Sequence, residues 1–168
     1  MTNKRRKLSA YLDIETTGLS HYSAELTVIG IHIENGCDEV IQMVGDDISS
    51  AALVETLRNV DRIYTYNGSR FDLPFIRQKL DVDLTDCCFH TDLMYSCWRR
   101  DLKGGLKAVE RQLGIARKLT DVDGWVAVQL WHEYKRNGCV NSLNRLLEYN
   151  KEDVLNLKEL REILEVRD

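Results

Sequence analysis

The sequence predicts an α/β fold, a mixed five-stranded sheet flanked by helices in three layers. Three observations predict it. Three β-rich runs come first, and the Asn35-Gly36 turn between the second and third makes that pair antiparallel. Later β-prone runs alternate with helical ones, and such crossovers favour parallel neighbours. The remainder of the chain is helical by period, which supplies outer layers for the sheet.

In the first run, Leu8, Ala10, Leu12 and Ile14 alternate with Ser9, Tyr11, Asp13 and Glu15. That is the period of a strand with one face buried. Thr16-Thr17-Gly18 ends it with small residues and leaves space beside the acids. Residues 26–34 form the second strand and 37–44 the third. Asp46-Asp47 and Ser49-Ser50 offer caps for a helix to about residue 58. Residues 63–66 are a fourth, short strand. Pro74 suits the first turn of a helix that turns Phe75, Ile76 and Leu80 inward. Residues 87–90 are the fifth strand, and Asp92 caps a helix containing Leu93, Met94 and Trp98. Gly104-Gly105 precedes a helix over 106–113 that stops at Gly114, and Asn137-Gly138 stops another over 125–135. Asn141 or Ser142 caps the last helix. Its apolar stripe runs through Leu143, Leu146, Leu147, Val154, Leu157, Leu160 and Leu164, with Asn150 marking a kink.

A length of 168 residues suits one domain spanning 1–168, with residues 1–7 a solvated basic tail. No apolar run reaches membrane-spanning length, and no signal core follows the basic cluster at 3–7. A cytoplasmic protein is expected. The five cysteines are odd in number, Cys87 and Cys88 are adjacent, and there is no C-x-x-C pair. This speaks against a disulfide framework and a zinc site, and free thiols fit a reducing compartment. A net charge of −4 gives no global attraction for nucleic acid, so any such binding needs a local basic surface.

Asp13 and Glu15, two apart on a strand, project from one face. Carboxylates so close repel unless a cation joins them or one takes a proton. Two solvated acids at a strand end are the plainer alternative. Tyr149 and Asp153 share one face of the last helix with Leu146 and Leu157. A buried aspartate there needs a cation or donors, whereas a break at Asn150 would make it a helix cap. Asp72 lies at a strand-to-helix turn, where its charge suits the helix N-terminus. These acids are hard oxygen ligands with no partnering Cys or His, a set that favours magnesium or manganese over zinc.

Asp13-Ile14-Glu15, the Asn67 to Phe71-Asp72 segment and Tyr149-Asn150-Lys151-Glu152-Asp153 resemble the three exonuclease motifs of the DEDD superfamily. The tyrosine lies four residues before the last aspartate and Glu148 stands where the histidine branch has His, so the likeness is to the tyrosine branch. The chain also resembles the proofreading domains of family B DNA polymerases and, more closely, the predicted ribonuclease H-like exonuclease family. In that family His90-Thr91-Asp92-Leu93, residues 106–114 and residues 149–157 have counterparts. The resemblance implies a ribonuclease H-like fold. It implies 3′-to-5′ exonuclease activity with two Mg2+ or Mn2+ ions per site, releasing 5′-mononucleotides. It further implies that Asp13 bridges both metals and that Glu15 and Asp153 complete the site of the ion that binds the attacking water. Asp72 would hold the second ion, and Tyr149 would orient the water. Thr16, Thr17, Gly18, Leu19, Asn67 and Phe71 flank the acids and are the candidate substrate-binding residues.

The expected partner is nucleic acid, DNA or RNA, single-stranded or at a 3′ end, with no membrane role. A structure-directed endonuclease with the same metal site is one alternative, and a catalytically weak nucleic-acid-binding or scaffold domain is another. The basic residues Arg99, Arg100, Lys103, Lys107, Arg111, Arg117 and Lys118 could track a phosphate backbone or form a solvated helix face. Trp98, Trp125 and Trp131 lie in helical patterns and are expected in the core.

Overall fold

A computed structural model describes residues 8–36 and 39–166. Strands β1 (Leu8–Thr16), β2 (Leu26–Ile33) and β3 (Val40–Val44) lead into helix α1 (Ser50–Leu57). Then come β4 (Val60–Thr65), α2 (Asp72–Leu80), β5 (Phe89–Asp92) and α3 (Leu93–Trp98). Helices α4 (Leu106–Leu113), α5 (Gly124–Asn137) and α6 (Val140–Ile163) complete the chain. The sheet order is β3-β2-β1-β4-β5, with β2 antiparallel to both β1 and β3, and β4 parallel to β1 and β5. This is the mixed five-stranded sheet expected from the sequence. The third strand begins later than expected, and residues 37 and 38 of its predicted start lie outside the described residues, as does the 1–7 tail.

Strand β1 departs from expectation in its faces. Ala10, Leu12 and Ile14 pack in one core with Leu53 and Leu57 of α1 and with Phe75 and Ile76 of α2. The opposite face is not solvated. Tyr11 is fully buried against Val154, Leu157 and Leu160 of α6, and Ser9 and Glu15 are buried too. A central strand carries helices on both sides, so its polar alternation marks a covered polar face. A third cluster joins Val28 to Trp131 of α5 and to Leu146 and Tyr149 of α6.

Other local differences have clear causes. Ser49 alone caps α1, accepting from the Ala52 N–H at 3.2 Å, while Asp46 and Asp47 sit in a preceding 3₁₀ turn. The cap position of α6 is Cys139, not Asn141 or Ser142. Ser142 lies inside the helix and donates its hydroxyl to Glu133 at 2.6 Å. Helix α6 also runs unbroken through Asn150, because that side chain is satisfied by tertiary partners. Of the tryptophans only Trp131 is core; Trp98 is 42% and Trp125 71% exposed. Cys87, Cys88, Cys97 and Cys139 are free thiols. Among the described residues, no helix is long and apolar enough to cross a membrane.

Candidate active site

The sheet delivers Asp13 and Glu15 from the C-terminal half of β1, on the face that α6 covers, and α6 delivers Tyr149 and Asp153 opposite them. Oxygens of Asp13, Glu15 and Asp153 all lie within 4.8 Å of one another, the one such group among the described residues. Asp72 is outside this triad, buried at the first residue of α2. It is not a helix cap: Phe71 holds the cap position, and the backbone N–H groups of Asp72 itself and of Ile14 face its carboxylate.

Burial and like charge make the metal-free cluster unfavourable. Burial, then the charges of Asp153 and Glu15, hold Asp13 well above the usual carboxylate range. Burial and Asp153 do the same to Glu15. Burial pushes Asp72 up to about 7 against its two backbone donors. Burial also raises Asp153, to about 6, although Arg117 opposes the shift. Glu15 Oε1 is buried with no hydrogen-bond partner. A buried acceptor without a donor is costly, and a cation would relieve both that deficit and the repulsion. The all-oxygen donor set fits a hard divalent ion such as Mg2+ or Mn2+.

Asn150, read in the sequence as a kink, is a supporting residue that sequence reasoning missed. Its Nδ2 donates to the Asp13 carboxylate at 3.1 Å and to the Asp13 carbonyl at 3.3 Å. Its Oδ1 accepts from Gln42 Nε2 at 3.0 Å. Gln42 Nε2 also donates to the Leu147 carbonyl at 2.8 Å. A carbonyl can only accept, so it fixes which end of the Gln42 amide faces α6. That in turn turns the Asn150 N–H groups toward Asp13. Gly30, paired with Asp13 across β1 and β2, makes room: a Cβ there would lie 2.9 Å from Asn150 Cγ.

Arg117 is the second supporting residue; it leaves the expected basic surface stretch, of which Arg99, Arg100, Lys103, Arg111 and Lys118 stay exposed. It is buried, with Nη2 2.6 Å from Glu110 Oε1 and Nε 2.8 Å from Glu110 Oε2. The same Nη2 bonds Asp153 Oδ1. Asn156 donates to Glu110 at 2.9 Å, and Glu152 accepts the N–H groups of Lys118 and Leu119. The segment after α4 is thereby locked to α6. Lys107 is likewise turned inward, over the Tyr149 ring at 4.6 Å and bonded to the Val122 carbonyl. Burial, then the acids around it, raises the Tyr149 phenol, which stays protonated at neutral pH.

Two clefts meet at Asp13, Tyr149 and Asp153. The larger, about 520 Å3, is also lined by Tyr66, Asn67, Met94 and the Gly104-to-Lys107 turn. The smaller, about 250 Å3, is lined by Thr16, Gly18, Leu19 and Phe71. Leu19 is 88% exposed at its edge, and Phe71 packs against Phe75. Thr17 lines neither cleft; its Oγ1 accepts from the Glu25 N–H at 2.8 Å and closes the loop after β1. His90 Nε2 lies 2.9 Å from Thr65 Oγ1, a structural contact at the sheet edge. Asp92 does more than cap α3. It accepts from Met94 N–H at 3.1 Å, and also from Asn67 and Ser69 N–H at 2.8 and 3.1 Å. One carboxylate thus holds the turn that leads to Asp72.

Fold and site together define a ribonuclease H-like domain with a buried acidic centre at the end of its central strand. Residues 10–165 match the family model of the RNase_H superfamily, and the chain belongs to that superfamily. No curated protein matches it in sequence. Among solved structures it is similar to the family B DNA polymerase from the hyperthermophilic archaeon Pyrobaculum calidifontis, with a TM-score of 0.67 and 15% identity. That match covers 94% of this chain and 25% of the polymerase, so the chain spans a quarter of that protein's length. It is also similar to Brucella melitensis NrnC with bound Mg2+ (TM-score 0.63, 18% identity, 97% of this chain and 74% of that one). For NrnC bound to pGG the values are 0.60 and 21% over the same shares. At these identities the likeness is one of fold.

Proposed function

We propose that the chain is a divalent-metal-dependent nuclease that removes nucleotides from the 3′ end of single-stranded nucleic acid. The observation that carries this is the Asp13-Glu15-Asp153 triad with its orphaned Glu15 oxygen. The similarity to NrnC, solved with Mg2+ and with pGG, supports a divalent ion and a nucleic-acid substrate. The match to the DEDD motifs supports the exonuclease class and its polarity.

Asp13, Glu15 and Asp153 would hold Mg2+ or Mn2+, with Asp72 contributing from the head of α2. Such ions, when bound, activate water and neutralise charge on the phosphate and the leaving oxygen. The protein's own groups do the rest. Asn150 keeps Asp13 facing the site, and Arg117 keeps Asp153 there. Tyr149, protonated and packed under Lys107, is a hydrogen-bonding group that orients the attacking water; it is not a base. Leu19 and Phe71 offer apolar contact for the terminal base in the smaller cleft, and Asn67 and Gly18 line the approach.

The test uses strands labelled at the 5′ end, with the 3′ hydroxyl free or blocked, in Mn2+ and in EDTA. A ladder shortening from the free 3′ end, and absent when it is blocked, is the expected result. Equal cutting of blocked and circular strands would replace this reading with an endonuclease. Retention of intact strand in Mn2+ would leave a binding domain.

A further inference from the structure

Three segments that wall the larger cleft continue outside it. The turn at Asn67 continues to Arg70, whose N–H donates back to the Asn67 carbonyl at 3.1 Å. Met94 is followed one helical turn later by Trp98. Gly104, bonded through its carbonyl to the Tyr66 hydroxyl at 2.6 Å, is preceded by Lys103.

The first two of these segments meet in an arginine-aromatic cluster. Arg70 Cζ lies 5.6 Å from the centre of the Trp98 ring and 6.0 Å from that of Tyr95, and the two rings meet edge to face at 5.4 Å. The cluster is built: Asp92 caps α3 and holds the Asn67-to-Ser69 backbone, so one carboxylate fixes Arg70 relative to Tyr95 and Trp98. Arg70, Trp98, Arg99, Arg100 and Lys103 are all exposed. In the run from Trp98 to Lys103 the one acid is Asp101, paired with Lys103 at 2.8 Å. A chain of net charge −4 thus carries exposed cations and open aromatic surface on segments that adjoin the cleft wall.

We propose that this surface, centred on Arg70, Trp98, Arg99 and Arg100, binds the body of a single-stranded nucleic acid whose end lies at the acidic centre. The proposal rests on the nuclease reading for its register, but its chemistry stands alone. Phosphates meet the arginines, and bases meet the ring of Trp98 or the guanidinium of Arg70. Backbone charge and stacking are sequence-tolerant, which suits an enzyme that must pass any base.

The test is fluorescence anisotropy of labelled single strands of graded length in EDTA, where cleavage cannot occur. Its failure is thus distinguishable from failure of the nuclease reading. The native chain is expected to bind longer strands more tightly than very short ones. Trp98→Ala, Arg70→Ala and the double substitution Arg99→Glu/Arg100→Glu should each weaken long-strand binding about tenfold or more and erase most of the length dependence. The arginine variants should also lower the slope of log affinity against log salt by about one per charge removed. The reversal at 99 and 100 keeps both rings, so it reports on the surface even where Trp98→Ala perturbs α3. Arg58→Glu, at the exposed C-cap of α1, is the control for reversing a surface charge elsewhere. Equal weakening by Arg58→Glu, or long-strand binding unchanged in all three test variants, would overturn the proposal.

Discussion

Asn150 and Asp13, 137 residues apart in the chain, are joined by two hydrogen bonds from one amide nitrogen, to the Asp13 carboxylate and to its carbonyl. Asn150 replaces water around a buried carboxylate of the proposed metal site. Asn150→Asp puts an acceptor where the donor stands. It should weaken Mn2+ binding about 10- to 100-fold, the usual cost of losing a supporting partner to a metal ligand. Gln42→Leu, which frees the Asn150 amide to flip, should cost less. Isothermal titration with Mn2+ and no nucleic acid measures both, and unchanged affinity in Asn150→Asp would remove the residue from the site.

Asp13→Ala and Asp153→Ala should each abolish cleavage and leave a folded protein, because each removes charge from a crowded buried cluster. Arg117→Met should behave oppositely. It strands Glu110 and Asp153 as buried charges without their cation, at a cost of about 3–5 kcal/mol. Circular dichroism melts beside a cleavage assay separate the two cases.

Tyr149→Phe keeps the packing under Lys107 and removes only the hydroxyl. Metal affinity should hold while single-turnover cleavage slows about 10- to 100-fold. An unchanged rate would reduce Tyr149 to a packing residue.

The pH dependence follows from Asp72. Its carboxyl is raised from an ordinary 3.8 to about 7. The folded state therefore holds a proton that the unfolded state releases, and stability falls as pH rises between those values. Asp72→Asn mimics the protonated form. In EDTA its Tm advantage over the native chain should be small near pH 4, grow toward pH 7 and level off above. Added Mn2+ should raise the native Tm more as pH rises, because carboxylates must be ionised to hold it. A Tm difference independent of pH would show that Asp72 titrates normally.

The sequence by itself determined the element order, the antiparallel start and the spacings that place Asp13 beside Glu15 and Tyr149 beside Asp153. Those features follow from periods of two and of 3.6 residues, which are local. It also marked the stops at Gly114 and Gly138, because both adopt the left-handed conformation that ends a helix. What only the tertiary structure decided is which polar residues meet. Asn150 looked like a break because asparagine competes for helix hydrogen bonds, yet β1 and β3 supply its partners. Arg117 looked like a surface cation until Glu110 and Asp153 enclosed it. Trp125 looked like core because its helix has the right period, but its place in the first turn of α5 leaves it in solvent. Burial and hydrogen-bond partners come from residues far apart in the chain, and no local period carries them.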